Sequence, residues 1–142
     1  MGFDLERFAS AQAGVHDRAL AELRAGRKQS HWMWFVFPQL RDLGRSETSR
    51  FYGLAGLAEA RAYLADPVLG PRLRAAFQAV LGAPGTAVEV LGPVDAMKLR
   101  SSATLFLRAA PRESIFQAVL DRFFEGVPDP ATDQLLDDAA GD

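Results

Sequence analysis

Ser30-His31-Trp32-Met33-Trp34-Phe35-Val36-Phe37-Pro38-Gln39-Leu40 decides how this chain is read. The stretch holds both tryptophans and one of the two histidines, and it follows Arg27-Lys28-Gln29. Trp32 to Phe37 has the aromatic and β-branched character of a strand. A strand needs a partner, and no second segment alternates convincingly. The stretch is therefore expected to be a short buried helix or turn, capped by Ser30 and ended by Pro38. Trp34, Phe35 and Phe37 are expected in the core, since large aromatics dominate cores.

The flanks read as helices. Leu5, Phe8, Val15, Ala19 and Leu23 recur at helical spacing and predict one long helix from about Asp4 to Ala25, stopped by Gly26. Ser46 reads as the N-cap of a short helix carrying Phe51 and Tyr52. A helix over about Leu57 to Ala65 ends where Asp66 precedes Pro67. Pro71 belongs in the first turn of the next helix, which buries Leu73, Ala76, Phe77, Val80 and Leu81 up to Gly82.

Thr86 and Glu89 fit a capping box. Gly92-Pro93 opens a helix to about Ala109. Over 112–125, Ile115, Phe116, Val119, Leu120, Phe123 and Phe124 form one stripe. Asp129-Pro130 reads as cap and first turn of a last short helix through Leu135 and Leu136. The expectation is an all-α fold: a single compact orthogonal bundle of six or seven helices. It is one domain over 1–142, with a core over about 4–136 and a frayed tail over 137–142.

Composition narrows the chemistry. The 142 residues are 49% hydrophobic and 24% charged, ordinary for a globular domain. A formal net charge of -2 gives no global attraction to nucleic acid, which makes nucleic-acid binding an unfavoured reading. The absence of cysteine excludes disulfides, thiolate metal sites and cysteine nucleophiles. With two histidines, a histidine-rich metal site is not expected, and no cofactor is implied. No apolar run reaches the ~18 residues of a membrane span, and the N-terminus lacks a signal-peptide pattern. A cytoplasmic location is the default expectation. There is no GxxxxGK[ST], GxGxxG, HExxH or CxxC motif.

Several polar residues sit where the helical period wants apolar ones. Gln12 falls in the middle of the first helix's stripe. Asp95, Lys98 and Ser102 share a face with Val94, Leu105, Phe106 and Ala109, at spacings that let Asp95 and Lys98 pair. Buried polar groups are costly unless satisfied. These residues therefore either form an internal network or line a solvated cleft. Arg41 and Arg45, around Gly44, read as solvated loop charges or as an anion contact.

Across about Asp4 to Leu136 the chain resembles a bacterial and fungal family catalogued as domain of unknown function 1810, some of whose members carry the name calpastatin. The resemblance rests on Asp4-Leu5-Glu6-Arg7-Phe8 with Ala11-Gln12, on Gly26-Arg27-Lys28-Gln29 running into the Ser30–Leu40 stretch, and on Leu43-Gly44 and Ala62-Tyr63-Leu64. It continues through Leu69-Gly70-Pro71-Arg72-Leu73 and Asp95-Ala96-Met97-Lys98-Leu99-Arg100-Ser101-Ser102, then Thr104-Leu105-Phe106. It implies an all-helical single domain and no established activity. Two positions depart: His16 stands where the family usually has Tyr, and Ala103 where Met is usual.

Two functional expectations follow. The first is an enzyme acting on a nucleotide-derived ligand such as ADP-ribose or a nucleoside, cleaving an N-glycosidic bond. His31, Asp95, Lys98 and Ser102 are its candidate catalytic residues. Gln12, Lys28, Trp32, Gln39 and Ser101 are its ligand-binding candidates, with Trp32 or Trp34 stacking on a base and Lys28 and Lys98 meeting phosphates. The second is a non-catalytic binding or interaction module whose polar residues are structural. A small anionic or nucleotide-like molecule is the expected partner of an enzyme or ligand-binding module, and another protein that of an interaction module. The Arg27–Leu40 segment is expected to pack on the Pro93–Ala109 helix, with Gln12 at their junction.

Overall fold

The computed structural model describes residues 3–141. Their regular structure is helical: α1 Glu6–Gln12, α2 His16–Arg24, α3 Met33–Val36, α4 Glu47–Phe51, α5 Leu57–Ala65, α6 Leu69–Leu81, α7 Ala87–Leu91, α8 Pro93–Ala109, α9 Ser114–Phe124 and α10 Pro130–Gly141, with one 3-10 turn at Arg41–Leu43. The all-α expectation holds, but six or seven helices was an undercount against these ten. The extra elements are short ones that periodicity does not resolve.

The first expected helix is two. Gly14 adopts φ +74°, a left-handed conformation that interrupts the helical path between α1 and α2. Apolar spacing carried across the break because both pieces lay a face on the same core. The last helix also runs past Leu136 to Gly141, so the stretch after Leu136 is helical rather than frayed, with residues 137–140 exposed. Asp142 lies outside the described residues.

The Ser30–Leu40 stretch is a single buried helical turn, as expected, but its start is different. Ser30 is not its cap. The residue before α3 is Trp32, which makes no side-chain cap, and the Ser30 hydroxyl donates to Glu22 on α2. After Pro38 the backbone is extended just long enough to pair once with Leu54: Arg41 N–H donates to Leu54 O at 2.8 Å and Leu54 N–H to Gln39 O at 2.9 Å. The β propensity of the stretch survives only there.

Local signals explain other boundaries. Ser46 and Ser49 form a reciprocal capping box on α4, and Thr86 and Glu89 do the same on α7. Pro93 fills the first position of α8, where its missing N–H goes unneeded. Asp129 accepts from the Thr132 N–H at the start of α10.

α8 is the central element and packs against α5, α7, α9 and α10. A run of ring contacts crosses the core: Phe8 to Tyr63 at 5.0 Å, Tyr63 to Phe106 at 5.7 Å and Phe106 to Phe116 at 5.8 Å. It continues from Phe116 to Phe77 at 5.1 Å, Phe77 to Phe37 at 5.0 Å and Phe37 to Trp32 at 6.2 Å. Several of these pairs meet edge to face, the arrangement ring quadrupoles favour. Among the described residues no helix is long and apolar enough to cross a membrane.

Candidate functional site

The Arg27–Leu40 segment and α8 meet through charge. Lys28 Nζ lies 2.9 Å from Asp95 Oδ2, and Lys98 Nζ lies 3.6 Å from Asp95 Oδ1. The spacing Asp95 to Lys98 places both on one face of α8. A tryptophan lies against each ammonium: Lys28 Nζ is 5.2 Å from the Trp32 ring centre and Lys98 Nζ 5.3 Å from that of Trp34.

Beside this cluster runs a groove of about 540 Å³. The Gln39–Ser49 stretch contributes Gln39, Leu43, Gly44, Arg45, Ser46 and Ser49; α8 contributes Val94, Met97, Lys98 and Ser101; Asp129 and Ala131 come from the start of α10. Met97 is 72% and Val94 66% exposed, an unusual display of apolar surface on the most buried helix. Ser101 Oγ donates to Asp129 Oδ2 at 3.0 Å. The same oxygen accepts from Thr132 N at 3.1 Å and Thr132 Oγ1 at 2.6 Å. Asp129 Oδ1 has no hydrogen-bond partner among the described residues.

The groove gathers Lys98, Ser101 and Gln39, with Asp95 and Lys28 held behind Lys98. The other candidates lie elsewhere. His31 is exposed and does not line the groove, because its neighbour Trp32 takes the inward position. Trp32 is fully buried and has no face on which a base could stack. Its indole Nε1 donates to Glu22 Oε1 at 2.9 Å. Ser102 is fully buried one turn beyond Lys98, where neighbouring helices already cover the face of α8, and its hydroxyl has no partner among the described residues.

Gln12 is sealed as well. Its Nε2 donates to Phe35 O at 2.7 Å and to Tyr63 Oη at 2.9 Å, while Arg72 reaches its Oε1 at 3.4 Å. It joins α1 to the Ser30–Leu40 stretch, α5 and α6, not to α8. Burial pushes the Tyr63 hydroxyl above its ordinary range, which keeps it neutral beside the amide.

Three further residues bear on the groove or its lysine. Trp34, expected in the core, is half-buried beneath Lys98. Arg45, read as a solvated charge or an anion contact, stands in the groove. Asp129 was read as a helix cap, and it is one. That role conceals an uncommitted carboxylate oxygen that no local pattern announces. Among the described residues, no group of three or more histidine or acidic side chains could hold a metal ion.

The fold and the groove together define a small all-helical protein with a mixed polar and apolar groove on its central helix. The profile of the family described as Protein of unknown function (DUF1810) matches residues 2–136, and the chain belongs to that family. Among solved structures it is similar to the conserved hypothetical protein Rv1873 from Mycobacterium tuberculosis. The two share 48% identity over 95% of this chain and 97% of that one, with a TM-score of 0.92. No curated protein matches the chain.

Proposed function

We propose that the groove beside Lys98 binds a small nucleotide-derived molecule, and that the protein acts first as a binding module. The observation that carries this reading is the groove's mixed lining. Lys98 and Arg45 supply positive charge for a phosphate or diphosphate. Gln39 and the free oxygen of Asp129 supply hydrogen-bonding groups for sugar hydroxyls. Val94 and Met97 offer apolar surface to a ring. The volume fits the range in which small molecules bind. Sealed networks at Gln12 and Glu22 agree with a structural role for the remaining polar residues.

Hydrolysis of an N-glycosidic bond is the second reading, and Asp129 is what favours it. A carboxylate facing the groove suits stabilisation of a cationic sugar. Asp95 is a poorer acid–base candidate, since two ammonium groups already bind it, and His31 lies away from the groove.

Isothermal titration with ADP-ribose, AMP and inorganic pyrophosphate tests the binding reading. At least one should bind, and Lys98→Met should weaken it about tenfold or more with thermal unfolding nearly unchanged, because the aliphatic stem remains. Wild-type protein that binds none of them overturns the reading. Chromatography of ADP-ribose and nucleosides after long incubation tests hydrolysis: release of base that Asp129→Asn abolishes while binding persists would establish it.

A further inference from the structure

Two lysines share one carboxylate in this protein, and they share it unequally. Lys28 Nζ sits 2.9 Å from Asp95 Oδ2, against 3.6 Å for Lys98 Nζ and Oδ1. The Lys28 side chain is 11% exposed, Asp95 18% and Lys98 23%, so the ammonium with the looser bond is also the one most open to solvent. Lys98 lines the groove and Lys28 does not. Lys28 is fixed from behind: its backbone N–H donates to Val90 O at 2.7 Å, at the end of α7. Its ammonium lies over the buried Trp32 ring.

From these facts we propose that Lys28 is a positioning residue that sets the charge with which Lys98 meets its ligand. Two ammonium groups and one carboxylate leave a net charge of +1. Lys28 takes the tighter share of Asp95, so the surplus charge resides on Lys98, at the groove. Without Lys28, Asp95 would close on Lys98 and cancel it. Asp95 on this view is not a catalytic acid or a ligand contact; it restrains Lys98 and opposes anion binding. The ligand group that this arrangement recognises is a phosphate-type anion, free or attached to a nucleoside. The proposal rests on the reading of the groove as an anion-binding site.

The two substitutions have opposite signs. Asp95→Asn removes the carboxylate at nearly constant shape, raises the cluster to +2, and should tighten pyrophosphate roughly threefold to tenfold at low ionic strength. Lys28→Met lowers the cluster to zero and should weaken it by a similar factor, although Lys28 touches no ligand. Lys28→Met combined with Asp95→Asn restores +1 and should return affinity to near the wild-type value. All three effects should shrink as salt is raised.

Calorimetric titration of pyrophosphate, ADP-ribose and adenosine into the wild type and these variants, with unfolding curves for each, decides the matter. Adenosine should respond to none of the changes, and comparison of pyrophosphate with ADP-ribose shows whether the anion is recognised free or attached to a nucleoside. If Lys28→Met does not fold, Lys28→Gln takes its place. Weaker binding in Asp95→Asn overturns the proposal while leaving the groove reading intact. Unchanged binding in Lys28→Met also overturns it. Wild type that binds neither pyrophosphate nor ADP-ribose overturns this proposal, and wild type that also fails to bind AMP overturns the groove reading with it.

Discussion

The indole of Trp32 is held by Glu22, ten residues earlier on α2, through Nε1 to Oε1 at 2.9 Å. The same carboxylate accepts the N–H of Gln29 at 2.7 Å, the N–H of Ser30 at 3.0 Å and the Ser30 hydroxyl. One acid thus satisfies the turn that carries the chain from α2 into the core. Partial burial pushes this carboxyl up, but the bonds from the Ser30 hydroxyl, the Gln29 and Ser30 amides and the Trp32 indole outweigh it and bring it down to about 2.

Stability should therefore fall in acid through Glu22. Its folded value of about 2 lies below the ordinary 4.5, so its contribution is complete above 4.5 and is lost as pH drops from there towards 2. Glu22→Gln should flatten that part of the profile and lose ~1.5–3 kcal/mol at neutral pH, as for hydrogen bonds to a charged group. Urea unfolding of both proteins across the acid range checks it. An equally steep acid loss in the variant would assign the effect to other carboxylates.

The two tryptophans should separate sharply. Trp32→Ala empties a fully buried site and should lose ~3–5 kcal/mol. Trp34→Ala should lose clearly less, because Trp34 is half-buried under Lys98. Equal losses in denaturant melts would return Trp34 to the core.

Gln12 should behave as one member of a coupled network. Gln12→Leu leaves the Tyr63 hydroxyl without its donor and Phe35 O with only the longer 3.5 Å bond from that hydroxyl, and should lose ~1–3 kcal/mol. Adding Tyr63→Phe removes one stranded partner, so the double variant should be more stable than the sum of the two losses implies. Strict additivity in a double-mutant cycle would show the contacts to be independent.

His16 should make the protein acid-sensitive near neutrality. Burial above all, with Arg72 next, lowers its pKa from 6.5, and its Nδ1 is buried without a partner among the described residues. The unfolded chain then binds the proton more readily, and stability falls as pH drops through 6.5 towards the folded value. His16→Tyr should remove this slope. Melting temperatures measured between about pH 5 and 8, the range where an ordinary histidine titrates, test it; the same slope in both proteins would exonerate His16.

Gly70→Ala should be severe. A Cβ there would lie 2.2 Å from the carbonyl oxygen of Leu64, so α6 could no longer approach the end of α5. The expected loss is about 3 kcal/mol or more, since backbone must move. A near-normal melt would mean that the junction relaxes easily.

The sequence by itself determined the helical class and most of the helix ends. Apolar stripes at 3.6 spacing, the capping boxes at Ser46 and Thr86, and proline at the start of α8 act within one or two turns of chain. Their physics is therefore written locally, and α5, α8 and α9 lie within two residues of where the pattern put them. The pairing of Asp95 with Lys98 was legible for the same reason.

What only the tertiary structure decided involves partners far apart in the chain. Glu22 takes the Ser30 hydroxyl that would have capped α3, Lys28 reaches across to Asp95, and Asp129 meets Ser101 from α10. Burial turns Trp32 inward and leaves Trp34 under Lys98, although both are tryptophans that flank the same Met33. Periodicity states that a residue faces a core. It does not state how deep that core is, or which groups from other elements will arrive there to satisfy a donor or share a charge. The groove exists only where the Gln39–Ser49 stretch, α8 and the start of α10 converge, and no single segment carries its shape.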